Sequence, residues 1–290
     1  MTKAPISVII LTYNEEANLR ACLESVAGLS DEVLVVDSFS TDKTLEIARE
    51  QGAQIYQNPW VNWAHQRNWA LEHLPLSHDW VIFLDADERL TPELGAELAE
   101  ILPHLPGDVG GLYSRRRFIW MGRWLKHGGN YKWILRTVRR EKARVEMSGG
   151  WEYMRVRGKT QRLRHDIIHE DLKGAGDWVI KHNRYASQEA LELLSSPSGQ
   201  ASRCGWQAAA PGVNYETESG RIVKLRSFWN RLPPFFRPPL NFIIRYFFML
   251  GLLDGLAGLS YYFLHDLWYP FLVDVYLLEL RKKARAVTGN

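Results

Sequence analysis

Three short apolar runs, each followed at once by polar residues, constrain the fold of this chain more than any other feature. The runs are residues 6–11, 32–36 and 80–84. Their nearly continuous β-branched and aromatic character is typical of strands buried on both faces of a parallel sheet. Helical spacing follows each run, and residues 53–56 form one more predicted strand. This alternation predicts βαβ units and therefore an α/β fold with a mostly parallel sheet flanked by helices.

The polar residues after these strands should meet at one edge of the sheet. Thr12 follows the first run, Asp37 the second and Asp85 the third. Ligands of open α/β sheets bind outside the carboxyl ends of the strands. The three loops therefore predict a single binding site.

Asp85-Ala86-Asp87 is the most informative of these loops. Two carboxylates separated by one residue can both reach a divalent cation, and Mg²⁺ typically takes one or two carboxylates together with substrate phosphates. Such a cation offsets the negative charge that develops on a leaving diphosphate. The alternative is a solvated acidic turn that caps the next helix.

Charge is strongly segregated along the chain, although the net charge is only +3. Residues 1–112 contain eighteen Asp and Glu against six Lys and Arg, whereas residues 113–164 contain sixteen Lys and Arg against three Asp and Glu. An acidic half that can hold cations thus precedes a basic stretch that can hold phosphates. A phosphate-bearing partner is therefore a candidate ligand.

Composition excludes several protein classes. The 46% hydrophobic and 24% charged residues are those of a globular protein rather than a disordered one. Two cysteines, Cys22 and Cys204, do not make a disulfide scaffold and favour a reducing compartment. No apolar region with a cleavage site follows Met1, so no secretory signal is expected.

The remaining chain divides by composition. We expect a catalytic domain over residues 1–195, with a nucleotide-binding half (1–112) and an acceptor half (113–195), then a loop (196–221) and a helical extension (222–290). The longest charge-free run of the extension has only ten residues, at 255–264. A spanning helix needs about twenty. Aromatic and leucine faces flanked by arginines instead suit helices at a membrane surface, or a hairpin packed on protein.

Three motifs closely resemble family 2 glycosyltransferases, in order and at the expected separation. They are residues 9–16 (IILTYNEE), 35–44 (VVDSFSTDKT) and 83–88 (FLDADE). The resemblance implies a GT-A fold and inverting transfer from a nucleoside diphosphate sugar with Mg²⁺ or Mn²⁺. Residues 65–68, 133–136 and 251–255 look most like the lipopolysaccharide core β-1,4-glucosyltransferases. That likeness implies UDP-glucose, a glycolipid acceptor and a cytoplasmic enzyme attached peripherally to the inner face of the membrane.

The same resemblance implies roles for particular residues. Glu170 is the expected catalytic base, with Asp171 as the alternative, in a segment where acidic and histidine residues close the donor site. Asp87 is the second expected catalytic residue. Ser38 and Phe39 stand where the family often has a second acidic residue, which leaves base specificity open. The donor site is expected to comprise Thr12, Tyr13, Glu15, Asp37, Arg67, Asp85 and Arg136, and the metal ligands Asp87, Asp85 and His169.

Other functions were weighed against this one. A nucleotidyltransferase would have a glycine-rich basic loop after the first strand, whereas Glu15 and Glu16 make this loop acidic. A glycan- or lipid-binding scaffold without catalysis is a second alternative, which the intact aspartates disfavour. Nucleic-acid binding lacks any recognised motif beside the basic stretch.

Overall fold

The computed structural model describes residues 3–148, 151–195 and 233–288. The predicted loop at 196–221 and Cys204 lie outside the described residues. The chain divides into two compact units. The first unit comprises Met1–Lys126, Asn130–Glu146 and Glu152–Lys173, and the second comprises His127–Gly129, Met147–Trp151 and Gly174–Asn290.

A mixed β-sheet forms the framework of the first unit. The strands are β1 (Ile6–Thr12), β2 (Glu32–Asp37), β3 (Gln54–Gln57), β4 (Trp80–Asp85), β5 (Glu88–Leu90), β6 (Val109–Trp120), β7 (Arg123–Trp124), β8 (Lys132–Arg139), β9 (Ala143–Ser148), β10 (Trp151–Val156) and β11 (Lys159–His169). Their order is β3-β2-β1-β4-β8-β6-β11-β5, with β7 beside β6, while β9 and β10 pair separately. The first four strands in this order are parallel, and β8 lies antiparallel to both β4 and β6. The predicted α/β sheet is confirmed, with antiparallel strands added on one side.

Helices cover both faces of this sheet. They are α1 (Leu19–Val26), α2 (Thr44–Glu50), α3 (Trp63–His73) and α4 (Pro92–Ile101). Alternate residues of β1 pack in opposite directions, because successive side chains of a strand point to opposite faces. Ile6, Val8 and Ile10 join a buried cluster with α1, α2 and α4, whereas Ile9 joins a cluster with α3. The sheet is therefore buried on both sides, as the apolar runs predicted.

Helix α1 begins only at Leu19, several residues after the end of β1. The backbone amide of Glu15 donates to Thr44 Oγ1 at 2.7 Å, and that of Glu16 donates to Asp42 Oδ2 at 3.1 Å. These amides are satisfied by side chains of the following βα unit, so residues 15–18 form a turn. Helix α4 begins as predicted, since the Thr91 side chain accepts a bond from Leu94 N.

The second unit is helical over the described residues. It contains α5 (Ala175–Ser195), α6 (Arg237–Ile243), α7 (Gly255–Tyr262) and α8 (Tyr269–Thr288), with π-helical turns at Ile244–Phe248 and Phe263–Trp268. Helices α5 and α8 share a core that includes Ala186, Leu193, Val273 and Leu277. In the described part of the chain no single helix is long and apolar enough to cross a bilayer. One pair, Arg237–Phe248 and Gly251–Ala286, passes that test together but bends by 73°.

Candidate active site

Strand pairing brings the predicted site residues to one edge of the sheet. Thr12 lies beside Asp37 in the β1–β2 register, and Asp85 lies beside Leu11 in the β1–β4 register. His169, at the end of β11, pairs with Glu88 of β5. Residues far apart in the sequence thus share one location because their strands end together.

The loops after β1 and β2 are joined through Asp37, which is fully buried. Its carboxylate accepts hydrogen bonds from Thr12 Oγ1 at 3.0 Å and Ser40 N at 2.9 Å. Gln57 Nε2 donates to the same carboxylate at 3.2 Å. Asp37 therefore holds three segments of the site together. Tyr13, by contrast, is more than half exposed beside it.

Glu15 connects the β1 loop to the segment after β11. Lys173 Nζ donates to Glu15 Oε1 at 2.7 Å, and Asn18 Nδ2 donates to Oε2 at 2.8 Å. Asn18 Nδ2 also donates to Asp171 Oδ1 at 3.0 Å. Burial raises the pKa of Glu15, and the bonds from Lys173 and Asn18 oppose that rise. The two ends of the site are thereby fixed to each other.

Asp85 is held by two arginines that are themselves buried. Arg67 Nη2 donates to Asp85 Oδ1 at 2.8 Å, and Arg136 Nη2 donates to Oδ2. Arg67 also contacts Glu152 through Nε at 2.9 Å, and Arg136 contacts Glu88 at 2.8 Å. Three carboxylates and two guanidinium groups therefore form one network, in which the Arg67 side chain is only 1% exposed.

This network determines the ionisation of Asp85. Burial favours its neutral form, but the positive charges of Arg136 and Arg67 outweigh burial and hold the pKa of Asp85 well below its usual value. Burial likewise opposes the charge on Arg67, and Glu152 and Asp85 outweigh it, so the pKa of Arg67 is raised. Asp85, Arg67 and Arg136 are therefore charged at neutral pH, since the same carboxylates also raise the pKa of Arg136.

Asp87 has a different environment from Asp85. Its Oδ1 atom is buried and has no hydrogen-bond partner among the described residues. Its Oδ2 atom lies 3.5 Å from His169 Nε2. The Asp87 carbonyl accepts a bond from Glu170 N at 2.9 Å, which connects the β4 turn to the end of β11. Asp87 is thus an ionisable side chain with an unused buried oxygen at the site.

Glu170, the expected base, forms an ion pair with Arg89 of β5. About a fifth of each side chain is exposed. The neighbouring Asp171 accepts bonds from Asn18 and from Lys173 N instead. The positive charge of Arg89 therefore stabilises the Glu170 carboxylate, whereas the Asp171 carboxylate is bound within the loop by Asn18 and Lys173 N.

A second surface of the first unit combines arginines with aromatic rings. Arg115 lies over the rings of Tyr131 and Trp133, at 4.7 Å from each centroid. Arg117 lies over Trp124 at 4.4 Å and pairs with Asp166 at 3.0 Å. The basic aromatic face consists of Arg115, Arg117, Trp124, Lys126, Tyr131, Trp133 and Arg162. Aromatic rings and guanidinium groups together suit a ligand with both sugar rings and negative charges.

Comparison with known families identifies the chain. The model of glycosyl transferase family 2 matches residues 7–161, which is more than half of the protein. The chain belongs to glycosyl transferase family 2. The matched range includes Asp37, Asp85 and Asp87 but ends before His169 and Glu170. Together with the strand order, the match confirms the GT-A fold.

Relatives of this glycosyltransferase extend the comparison. An uncharacterised glycosyltransferase of Rickettsia bellii is 42% identical over 96 residues, which cover 33% of this chain and 32% of the relative. The chain thus matches about a third of the length of this relative and of the other Rickettsia glycosyltransferases to which it is similar. LpsC of Rhizobium meliloti, a lipopolysaccharide core biosynthesis glycosyltransferase, is 29% identical over 67% of this chain and 73% of its own. Glucosyl-3-phosphoglycerate synthase from Mycobacterium tuberculosis is 28% identical over 39% of this chain and 44% of its own, with a TM-score of 0.34.

Sequence reasoning missed several residues of the glycosyltransferase site. Glu88 follows the predicted aspartates directly, so its position was a usable signal. For Glu152 only the partner was missed: it pairs with Arg67 across 85 residues, and nothing in the local sequence indicates this pairing. Asn18 and Lys173 were missed for the same reason, since they meet only when the ends of β1 and β11 come together.

Proposed function

We propose that this family 2 glycosyltransferase moves a hexose, glucose from UDP-glucose, onto a lipopolysaccharide-core or other lipid-linked acceptor with inversion at the anomeric carbon. Mg²⁺ or Mn²⁺ is its proposed cofactor. The observation that carries the proposal is the Asp87 carboxylate: its buried Oδ1 atom has no hydrogen-bond partner in the described part of the chain, and its Oδ2 atom lies 3.5 Å from His169 Nε2. A buried carboxylate oxygen without a partner is costly unless a ligand completes it.

Asp87 and His169 are the side chains that would hold the cation. Among the described residues no group of three His, Cys, Asp or Glu is arranged as a complete ligand set. A site with two protein ligands agrees with a cation whose other ligands are donor phosphates and water. When bound, the cation supplies positive charge at the departing diphosphate.

Asp85 has a positioning role in this proposal. Because Arg67 and Arg136 bind both of its oxygens, Asp85 holds the β4 turn in place and leaves Asp87 directed at the donor. Tyr13 and Thr12 line the nucleotide side of the site, and Asp37 keeps their loop in position. Arg67 and Arg136 were expected to contact the donor. In this proposal they bind carboxylates inside the protein and act by holding Asp85.

Glu170 is the proposed base. Inverting transfer needs a carboxylate that accepts the proton of the acceptor hydroxyl as its oxygen attacks the anomeric carbon. Glu170 is partly exposed and lies directly after His169, and its backbone amide is bound to Asp87. Arg89 holds the Glu170 carboxylate in one orientation.

The acceptor class is supported by the basic aromatic face and by the relative LpsC. Lipopolysaccharide cores bear phosphate and carboxylate groups on sugar rings. Arg115 and Arg162 lie over the Trp133 ring, and Arg117 and Lys126 lie over the Trp124 ring, so this face combines positive charge with aromatic surface. An acceptor of this kind places the enzyme at the inner face of the cell membrane, in the cytoplasm.

A donor panel tests the function. We expect UDP release from UDP-glucose by the wild-type enzyme with Mg²⁺ or Mn²⁺, lost with EDTA. Asp87→Asn keeps the shape of the side chain and removes its charge, so turnover should fall by about 10³-fold. Asp79→Asn is the matched control, because Asp79 is 89% exposed and should leave turnover unchanged.

Two results would contradict the proposal. Turnover that persists in EDTA and in Asp87→Asn would exclude the cation and its carboxylate from the reaction. Donor binding without turnover, even with lipopolysaccharide-core acceptor present, would instead identify a binding scaffold that has lost catalysis.

A further inference from the structure

Three charged residues that interrupt the apolar C-terminal segment in the sequence, Arg245, Asp254 and Asp266, face inward. Arg245 and Asp266 form an ion pair at 2.5 Å, with side chains 8% and 1% exposed. Asp254 accepts bonds from His127 N at 3.1 Å and from Tyr262 Oη at 3.0 Å. These charges therefore do not oppose contact of the helix surface with an apolar medium.

The outward surface of the same segment is apolar. Residues 246–253 carry no charged side chain. Six large side chains of residues 247–256, called here the apolar tip, are between 41% and 84% exposed: Phe247, Phe248, Leu250, Leu252, Leu253 and Leu256. Large contiguous apolar surfaces are rare on soluble monomers and mark a place where another apolar body binds.

The apolar tip is a fixed turn rather than a loose loop. The helices on either side of it meet at 73°, and Leu250 adopts a left-handed conformation, with φ at 61°. Gly251 packs so closely that a Cβ atom there would lie 2.6 Å from Tyr262 Cε2. The exposed side chains are thus presented by a packed support.

The distribution of these side chains indicates what covers them. Residues 247–250 are all exposed, at the point where the π-helical turn Ile244–Phe248 ends and Leu250 adopts its left-handed conformation. The exposed side chains therefore do not form the single stripe of one helix face. A flat protein partner could cover only some of these directions. Lipid chains surround an inserted turn from every side and leave none of it in water.

Charge at the end of α8 indicates the kind of lipid. Exposed basic side chains follow one another at Arg281, Lys282, Lys283 and Arg285. Clusters of this kind are attracted to anionic headgroups near the membrane surface. We propose that the apolar tip inserts into one leaflet of an anionic bilayer. Helix α8, whose Phe271, Val275 and Leu278 side chains are exposed on one face, then lies along the same leaflet, so that these basic residues bind its headgroups. This inference concerns lipid binding and does not depend on the proposed reaction.

Vesicle flotation of the full chain tests this inference. Wild type should float with vesicles of phosphatidylcholine and phosphatidylglycerol, and Phe248→Glu with Leu256→Glu should bind at least about 100-fold more weakly, because two charges replace two inserted apolar groups. The matched control is Ile180→Glu with Leu191→Glu, which changes two comparably exposed apolar residues of α5 and should float like wild type. Circular dichroism establishes that each variant is folded.

The headgroup contribution has its own variant. Arg281→Gln with Lys282→Gln should bind anionic vesicles several-fold more weakly and should not change binding to pure phosphatidylcholine. Flotation of the tip variant at the wild-type level would overturn the inference. A lipid-free dimer that becomes monomeric in the tip variant, with no flotation of wild type, would overturn it in favour of a second copy as the occupant.

Discussion

The two aspartates of the Asp85-Ala86-Asp87 motif have opposite environments at the level of single residues. The negative charge of Asp85 is balanced by Arg67 and Arg136, which are 18 and 51 residues away in the sequence. Asp87 keeps a buried oxygen free of partners among the described residues. The motif predicted where both carboxylates lie. It could not predict which one is used internally, because that depends on side chains that only the fold brings near.

The role of Glu170 gives a prediction at this scale. Glu170→Gln removes the group that accepts the acceptor proton, so kcat should fall by about 10²–10⁴-fold with little change in KM for the donor. Asp171→Asn is the control, since Asp171 is bonded to Asn18 and Lys173 N. Steady-state kinetics with saturating acceptor measure both. A larger loss of kcat in Asp171→Asn would transfer the role to Asp171.

At the scale of elements, the first parallel strands were predictable and the pairing of the later strands was not. The strands β1, β2 and β4 are mostly apolar and are recognised from their composition alone. Strands β6 and β11 pair in parallel although β8, β9 and β10 lie between them in the sequence. Apolar and polar residues do not alternate clearly along β6 and β11, because Arg115, Arg117 and Arg162 of these strands belong to the basic aromatic face. Local pattern therefore indicates strands here without indicating their partners.

The start of β11 gives a prediction at this scale. Gly158 has φ at +99°, and a Cβ atom there would lie 2.2 Å from Asp108 O, beside the bond from Lys159 N to the same oxygen. Gly158→Ala should lower the free energy of unfolding by roughly 2–4 kcal/mol, from backbone strain and displacement of this contact. Gly107→Ala is the matched control, since nothing lies within 4 Å of its Cβ position. Urea unfolding measures both, and equal losses would contradict the steric explanation.

At the scale of the whole molecule, the two oppositely charged stretches of the sequence pair with each other. Arg136 of the basic stretch binds Asp85 and Glu88 of the acidic half, and Arg67 of the acidic half binds Glu152. Arg140 donates to the carbonyl oxygens of helix α3 and the loop after it. From the sequence, a phosphate-bearing ligand was the candidate partner for the positive charge of residues 113–164. Part of it instead stabilises the fold, which composition cannot distinguish from ligand binding.

The same pairing predicts how stability depends on pH. The pKa of Asp85 is lower in the folded protein than in the unfolded chain, where it is about 3.9. The ionised form therefore stabilises the fold above about pH 5, and this contribution is lost as the pH falls below 4. Urea midpoints of wild type should decrease from pH 5 to pH 3. The decrease should be smaller in Asp85→Asn, and an identical slope in the two proteins would show that Asp85 does not carry the effect.

The position of His127–Gly129 within the second unit has a consequence for synthesis on the ribosome. Arg245 Nε donates to the carbonyl oxygen of Gly128 at 2.7 Å, across 117 residues of chain. At translation rates of about 5–20 residues per second, residue 128 is made about 6–23 s before this partner exists. Tyr262, which donates to His127 O, is made later still. The bonds from Arg245 and Tyr262 to this short segment can therefore form only after translation has passed residue 262, and until then the segment lacks these two partners.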